Sequence, residues 1–384
     1  GGDRVVITQS KGAGEQAGLR AVEGDRQVRP DRGLGWFAAR EVHRRRRVDG
    51  HDRLHALRLA VRDGAQQLVR HVADVVGRHG VDPSEIAVLY RANYQSRTLE
   101  EAMLRAGVPY RVYGGLRFFE RAEIKHALAY LRLLENPNDD TSFSRVVNFP
   151  TRGIGARSIE AVQDAARAQN SSLYLAASTL DGKAGASLGG FVRLVDHMRE
   201  ATRHNTLPET VEFVIQNSGL IQHYLSEREG QDRVENLQEL INAATAFIAE
   251  EGYGQDAAAA TLPGENTPGV VDVSPLAAFL SHASLEAGDN QAQAGQDAVQ
   301  LMTVHSAKGL EFTSVFITGL EEGLFPHENS INEQHGLEEE RRLMYVGITR
   351  AQKSLNISWC KKRKRAGETE ICEASRFIEE LPSD

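Results

Sequence analysis

The residues best equipped for chemistry lie in two runs near the C-terminus. In Thr303–Phe312, TVHSAKGLEF, a histidine, a serine, a lysine and a glutamate crowd into one polar turn, His305–Phe312. Gly309 lets the backbone bend closely there. In Leu337–Ala351, LEEERRLMYVGITRA, Arg350 stands at the far end of a run whose Leu343, Met344, Val346 and Ile348 suit a half-buried helix. An arginine fixed at the end of a packed helix can be aimed at a phosphate. Two upstream runs offer related chemistry. In RANYQSR, Arg91 suits a phosphate and Asn93 a phosphate or a base edge. In Pro150–Val162, PTRGIGARSIEAV, Gly153 and Gly155 let the backbone approach a phosphate. Free amides at the next helix start, near Arg157 and Ser158, would bind it. That is duplex-backbone recognition without sequence readout.

Secondary structure must position these side chains. Val299–Val304 and Ser314–Leu320 are short apolar runs that read as buried parallel strands flanking the turn. Ligands meet an open α/β sheet at the loops beyond the carboxyl ends of its strands. His305, Ser306, Lys308 and Glu311 are therefore expected together on one such loop. Acidic residues crowd the first turn of the 337–351 helix, where the helix dipole favours them. Upstream, Glu85–Tyr90 reads as a buried strand, Thr98–Arg105 as a helix closed by Gly107, and Tyr110–Tyr113 as a short strand. Gly114–Gly115 then marks a hinge. Beyond it the period turns helical: Ile124, Leu128, Leu131 and Leu134 line one face of Glu120–Leu134. Further helices are expected at Gly190–Arg203, Pro208–Gln216, Arg233–Glu250 and Ser274–Ala287. Gly252–Val270 reads as a flexible loop.

The runs TVHSAKGLEF, EEGLFPH and EEERRLMYVGITRA resemble the last motifs of superfamily-one DNA helicases of the UvrD/PcrA/Rep family. The resemblance implies an α/β fold: a RecA-like, P-loop-NTPase-type parallel-sheet domain, the second motor domain of a pair, interrupted by an all-α inserted domain. It implies ATP-driven movement 3′ to 5′ on single-stranded DNA with duplex unwinding, in repair or replication. By resemblance, Glu311 contacts the nucleotide sugar and Arg350 is the catalytic arginine finger on the γ-phosphate, a role typically contributing about 10³–10⁵ in rate. Thr303, His305 and His327 would line the single-strand track, with Arg91 and Asn93 beside them. Lys125 would join Gly153, Gly155, Arg157 and Ser158 on the duplex ahead of the fork. Ala366 stands where the family often carries a stacking aromatic. Since stacking contributes about 1–3 kcal/mol per base, weakened strand separation is expected.

No G-x-x-x-x-G-K-[ST] phosphate loop occurs in the 384 residues, and the acidic Mg²⁺-binding motif of a first motor domain is also missing. ATP and Mg²⁺ are thus expected as cofactors of a full-length parent, bound with a first motor domain. The chain alone is expected to bind neither and to hydrolyse no ATP. Expected partners are single-stranded and forked duplex DNA, and repair proteins. An alternative is a truncated, non-catalytic DNA-binding module. The net charge of −8 confines any DNA contact to local patches. The basic run Lys361–Arg365 reads as a hairpin, either solvated or touching DNA. Cys360 and Cys372 lack a zinc pattern and suit a reducing compartment. No apolar run reaches the about eighteen residues of a membrane span and no signal peptide is evident, so a cytoplasmic location without membrane contact is expected.

Residues 1–80 have a different texture, with arginine far outnumbering lysine. Arg44–Arg47 suits a nucleic-acid arm or a solvated segment. His51 and His55 have zinc-ligand spacing but lack a third ligand, so no metal site is expected. Leu54–Val76 has helix-compatible spacing. The family's Gln-Asn-Tyr-Arg-Ser motif is missing from this region, which is therefore expected to come from a shifted reading frame or a mis-called start, or to be disordered. The expected domains are 1–80 atypical, 81–113 the first part of the motor domain, 114–296 the helical, duplex-binding insertion, and 297–384 the second part.

Overall fold

Among the described residues, seven strands form one parallel sheet, in the spatial order Val6–Thr8, Ala56–Val61, Ala351–Trp359, Phe312–Thr318, Ile86–Tyr90, Val299–Thr303 and Tyr110–Val112. A computed structural model describes residues 6–8, 56–61, 64–228, 230–251, 273–287, 296–365 and 368–381. Arg44–Arg47, His51, His55, Gly252–Val270 and Ala366 lie outside the described residues. From the N-terminus come β1 (Val6–Thr8), β2 (Ala56–Val61), α1 (Ala65–His79), β3 (Ile86–Tyr90), α2 (Ser96–Arg105) and β4 (Tyr110–Val112). A run of helices follows: α3 (Ala122–Glu135), α4 (Asp140–Val146), α5 (Ala156–Gln169), α6 (Leu173–Thr179), α7 (Gly182–Ala201), α8 (Leu207–Asn217), α9 (Leu220–Leu225), α10 (Gly230–Glu251) and α11 (Pro275–Glu286). The chain then gives β5 (Val299–Thr303), β6 (Phe312–Thr318), α12 (Glu328–Ile331), α13 (Gly336–Thr349), β7 (Ala351–Trp359), β8 (Lys362–Arg365), β9 (Glu368–Ile371) and α14 (Arg376–Glu379).

The central strands are mostly apolar because helices cover both faces of the sheet, though Ser314, Asn356 and Ser358 are buried among them. Every residue of β3 is buried. Alternate side chains point to opposite faces. Ile86, Val88 and Tyr90 pack with Leu68, Val69 and Val72 of α1, while Ala87 and Leu89 pack with Met302, Ile317 and Met344 on the other face. Parallel pairing and two covered faces make this an α/β sheet, consistent with the RecA-like fold that the resemblance implies.

The run Leu54–Val76 does not form the single helix expected. It gives strand β2 and helix α1, separated at Gly64, whose φ is +105°. The sheet unit thus takes in residues ahead of 81, since the apolar face of α1 completes the cover over β3.

The chain divides into two compact units. One comprises Gly1–Gly115, Gln291–Arg363 and Glu370–Asp384; the other comprises Leu116–Asn290 with Lys364–Thr369. The stretch Leu116–Asn290 folds as helices, so the α/β unit is interrupted by an all-α insertion. Its core includes Ile124, Leu128, Leu131, Phe143, Phe191, Leu237, Leu240 and Phe279. Helix α7 starts eight residues before the expected Gly190. Gly189 and Gly190 are carried inside it, because buried Leu188, Phe191, Val192, Val195 and Met198 tie both halves to the core.

Candidate nucleotide and nucleic-acid sites

At the carboxyl edge of the sheet, Tyr90 of β3 pairs with Thr303 of β5, and the Val304 amide donates to the Tyr90 carbonyl at 2.9 Å. The segments that follow, Arg91–Asn93 and His305–Ser306, therefore leave the sheet side by side. Each is shaped by one side chain. Gln95, 5% exposed, accepts the amides of Arg91 at 3.0 Å and Ala92 at 2.8 Å. Thr303 Oγ1 accepts the Ser306 amide at 3.2 Å and shares a 2.9 Å hydrogen bond with the Ser306 hydroxyl. This turn leaves His305 and Lys308 exposed and Thr303 half-buried. Gly114 backs against it: its φ is +78°, and a Cβ there would stand 3.0 Å from Ser306 Oγ.

His327 reaches the same edge through Glu340 of α13, whose Oε2 accepts the His327 amide at 3.2 Å. Its Nδ1 accepts the Asn329 amide at 3.3 Å, capping α12. The structure thus brings Arg91, Asn93, Thr303, His305 and His327 to one edge. Arg91 is not the open phosphate donor its sequence context suggests. Its Nε and Nη2 clasp the buried Glu340 carboxylate at 2.9 and 2.6 Å.

Glu311 and Arg350 lie elsewhere. The expectation of one loop carrying residues 305 to 311 is corrected by the strand directions. Glu311 precedes β6 and Arg350 precedes β7, so both stand at the amino edge of a parallel sheet, opposite His305. Residues 304–311 are the whole crossover from the end of β5 to the start of β6, and they run from one edge to the other. The two amino-edge residues are neighbours, because Phe312 pairs with Ala351 and its amide donates to the Arg350 carbonyl at 2.9 Å.

Arg350 is half-buried and firmly aimed. Its guanidinium donates to the Leu310 carbonyl at 2.7 Å, the Val346 carbonyl at 3.1 Å and Thr349 Oγ1 at 2.9 Å. These acceptors are neutral, and no carboxylate pairs with Arg350 among the described residues. Its positive charge is thus oriented without being cancelled, which suits an anion. Glu311 is exposed, and its Oε2 accepts from Gln352 Nε2 at 3.4 Å. A sugar hydroxyl can reach such a carboxylate.

In the helical unit, the Gly-Ile-Gly turn is fastened from beneath. Asn148 Oδ1 accepts the amides of Arg152 at 2.9 Å and Ile154 at 3.1 Å. Arg152 donates to the carbonyls of Pro150 at 2.9 Å and Ser218 at 2.8 Å, and lies over the rings of Tyr130 and Phe191. Ile154 plugs the core, leaving Gly153, Gly155 and Arg157 exposed. Gly153 has φ +70°. Gly155 caps α5 with no side chain, and no acidic residue occupies the first turn. The Ser158 amide is already engaged by the Gly155 carbonyl at 3.0 Å, so the open amides are those of Ala156 and Arg157. Lys125 is half-buried on α3.

Beside this turn, His126 stacks on Phe149 with ring centroids 3.8 Å apart, and its Nδ1 meets the Tyr224 hydroxyl at 2.7 Å. Burial, then the charges of Arg145, His223 and Arg233, push the imidazole down to about 4. A histidine held neutral adds stability above its unfolded pKa and loses it as pH falls through the folded one. The helical unit is therefore expected to lose on the order of 1–2 kcal/mol between about pH 6.5 and 4, after discounting for partial exposure. Thermal melts across that range check this. His126→Gln should flatten that part of the profile.

The sequence reading passed over Gln95, Arg152, Glu340 and Arg97. Arg97, 7% exposed, follows the carboxyl end of β3 on α2 and pairs with Glu101 at 2.9 Å. Its sequence signal was a basic residue beside Ser96 in an otherwise buried run. Among the described residues no cluster of His, Cys, Asp or Glu could hold a metal ion. No described helix is long and apolar enough to cross a membrane.

The chain is 48% identical over 309 residues to DNA helicase II of Escherichia coli (strain K12), covering 78% of this chain and 41% of that protein. It is 44% identical over 330 residues to DNA helicase II of Haemophilus influenzae, covering 84% and 43%. To ATP-dependent DNA helicase PcrA of Bacillus subtilis it is 39% identical over 314 residues, covering 78% and 40%. The chain therefore spans about two fifths of the length of these relatives. A family model described as the UvrD-like helicase C-terminal domain matches residues 58–362, and the chain belongs to that family.

Proposed function

We propose that the chain forms the second motor wall of an ATP-dependent 3′–5′ DNA helicase acting in DNA repair or replication. The observation that carries this reading is Arg350, a half-buried guanidinium fixed by neutral oxygens beside Glu311. When bound, ATP with Mg²⁺ supplies the phosphoryl-transfer chemistry. Arg350 would bear on the terminal phosphate and stabilise the charge that develops there. Glu311 would hold the sugar. At the opposite edge, Asn93, Thr303, His305 and His327 would meet single-stranded DNA, with Arg91 beside them. In the helical unit, the open amides after Gly153 and Gly155, with Arg157, Ser158 and Lys125 nearby, would meet duplex phosphates.

Two elements join the edges. The crossover 304–311 carries His305 at one end and Glu311 at the other. Helix α13 carries Glu340 near the strand-facing edge, and Arg350 follows its last turn, about 15 Å farther along. Either can transmit the nucleotide state to the strand. The sequence holds no phosphate loop, so the chain alone is an incomplete ATPase that retains nucleic-acid contacts. A cytoplasmic location fits this role, and repair proteins are its natural further partners.

Two measurements on the isolated chain test the reading. It should hydrolyse no ATP above background with or without single-stranded DNA. It should bind a labelled oligothymidylate with an affinity that falls log-linearly with salt. His305→Ala should weaken that binding roughly tenfold, within the about 1–3 kcal/mol of one stacked base. DNA-stimulated hydrolysis by the chain alone, or unchanged binding by the variant, would count against it.

A further inference from the structure

Glu340 is the hub of the carboxyl edge. It is 1% exposed. Its two oxygens take Arg91 Nε at 3.1 and 2.9 Å and Nη2 at 2.6 Å. Oε2 also takes the His327 amide at 3.2 Å, and the Ser330 hydroxyl donates to the same carboxylate. One carboxylate thus ties together the end of β3, helix α13 and the His327–Ile331 segment. Arg91 itself is only 17% exposed along its side chain. A guanidinium clasped by two oxygens of a buried acid has lost most of what it would offer a phosphate. Burial alone would raise the Glu340 carboxyl, but the bonds from Arg91, Ser330 and the His327 amide outweigh it and hold the group below the ordinary carboxylate range. The pair therefore stays ionised at neutral pH.

We propose that Arg91 serves strand binding indirectly, as a positioning residue that acts through Glu340 to hold His327 at the carboxyl edge and α13 in place. This rests on the reading of that edge as a single-strand track. It differs from a phosphate contact in what each substitution does. A phosphate accepts lysine as a point charge, whereas a two-oxygen clasp needs the planar fork of arginine. A phosphate contact also carries a share of the salt dependence, about 0.7 in the log–log slope for each phosphate on a single strand.

The test uses the full chain, a labelled oligothymidylate and a potassium chloride titration, with hydrogen exchange of the His327–Ile331 segment as a second readout. Arg91→Ala, Arg91→Lys and Glu340→Gln are each expected to weaken binding by a similar factor, roughly fivefold, with the salt slope unchanged, and the Arg91→Ala/Glu340→Gln double variant to be no worse. Exchange at His327–Ile331 should quicken in all of them. Two results would overturn the proposal. In one, Arg91→Lys binds like the unaltered chain while Arg91→Ala lowers the slope by about 0.7. In the other, exchange at His327–Ile331 is unchanged in Glu340→Gln, the mildest variant and the one that keeps the side-chain shape. If the unaltered chain binds no oligothymidylate, the strand-track reading fails, and the exchange data still decide whether the Arg91–Glu340 pair holds His327.

Discussion

Arg350→Ala is expected to lower DNA-stimulated ATP hydrolysis by about 10³-fold or more when the chain is assayed with a phosphate-loop motor domain. The size follows from how the side chain is held. Three neutral acceptors fix the guanidinium, so it pays no reorganisation as charge develops on the transferring phosphate. No carboxylate competes for it among the described residues, unlike Arg91, which Glu340 clasps. Arg350→Lys should recover little, because an ammonium cannot reach Leu310, Val346 and Thr349 together. Nucleotide affinity should fall far less than turnover, since in the proposed role the arginine serves the developing charge. Phosphate-release kinetics at saturating DNA measure this. A loss under about tenfold would take Arg350 out of the role.

Glu321→Ala is expected to destabilise the sheet unit by about 3–5 kcal/mol, the cost of leaving a buried charge without its partner. Glu321 is 2% exposed and follows the carboxyl end of β6. It accepts Arg363 Nε at 2.8 Å, Arg363 Nη2 at 2.9 Å and the Cys360 amide at 2.8 Å. Removing the carboxylate strands the Arg363 guanidinium and frees the turn that leads to His327. By size scaling, the melting temperature should drop by roughly 6–20 °C. The pair also has a pH signature. Burial would raise the Glu321 carboxyl, but Arg363 and the Cys360 amide outweigh it and hold the group low. A depressed carboxyl contributes stability above its unfolded pKa, and that stability is lost as pH falls through the folded pKa. The unaltered chain should therefore lose stability below about pH 4.5 more steeply than Glu321→Ala. Calorimetry on both proteins checks the two effects together.

Local pattern made much of this fold legible. The strand at Val299 and the helix before Arg350 follow from apolar runs and period alone, because helices on both faces of a parallel sheet leave few polar positions in its centre. The same logic failed at Leu54–Val76. There spacing compatible with a helix concealed a strand, Ala56–Val61, ahead of the helix that starts after Gly64. The motifs singled out His305 and Glu311 but put them on one loop. A crossover of so few residues looks like a loop in sequence, and only the shared direction of β5 and β6 places its ends at opposite edges. Partners far apart in the chain were the least visible. Arg91 and Glu340 are separated by 249 positions, and a sequence reveals a basic residue after a strand without the acid that claims it. Arg152 was quoted within the Gly-Ile-Gly run yet its role lies beneath the turn, against Pro150 and Ser218.

The proposed division of the sheet into a strand-facing edge and a nucleotide-facing edge is tested most directly by photo-crosslinking a thymidine-analogue oligonucleotide to the chain and mapping the modified peptides. The account predicts adducts in the peptides that carry Asn93, His305 and His327, and none in those spanning Leu310–Phe312 or Thr349–Gln352. Adducts concentrated at Glu311 and Arg350, with the other edge unmarked, would contradict it.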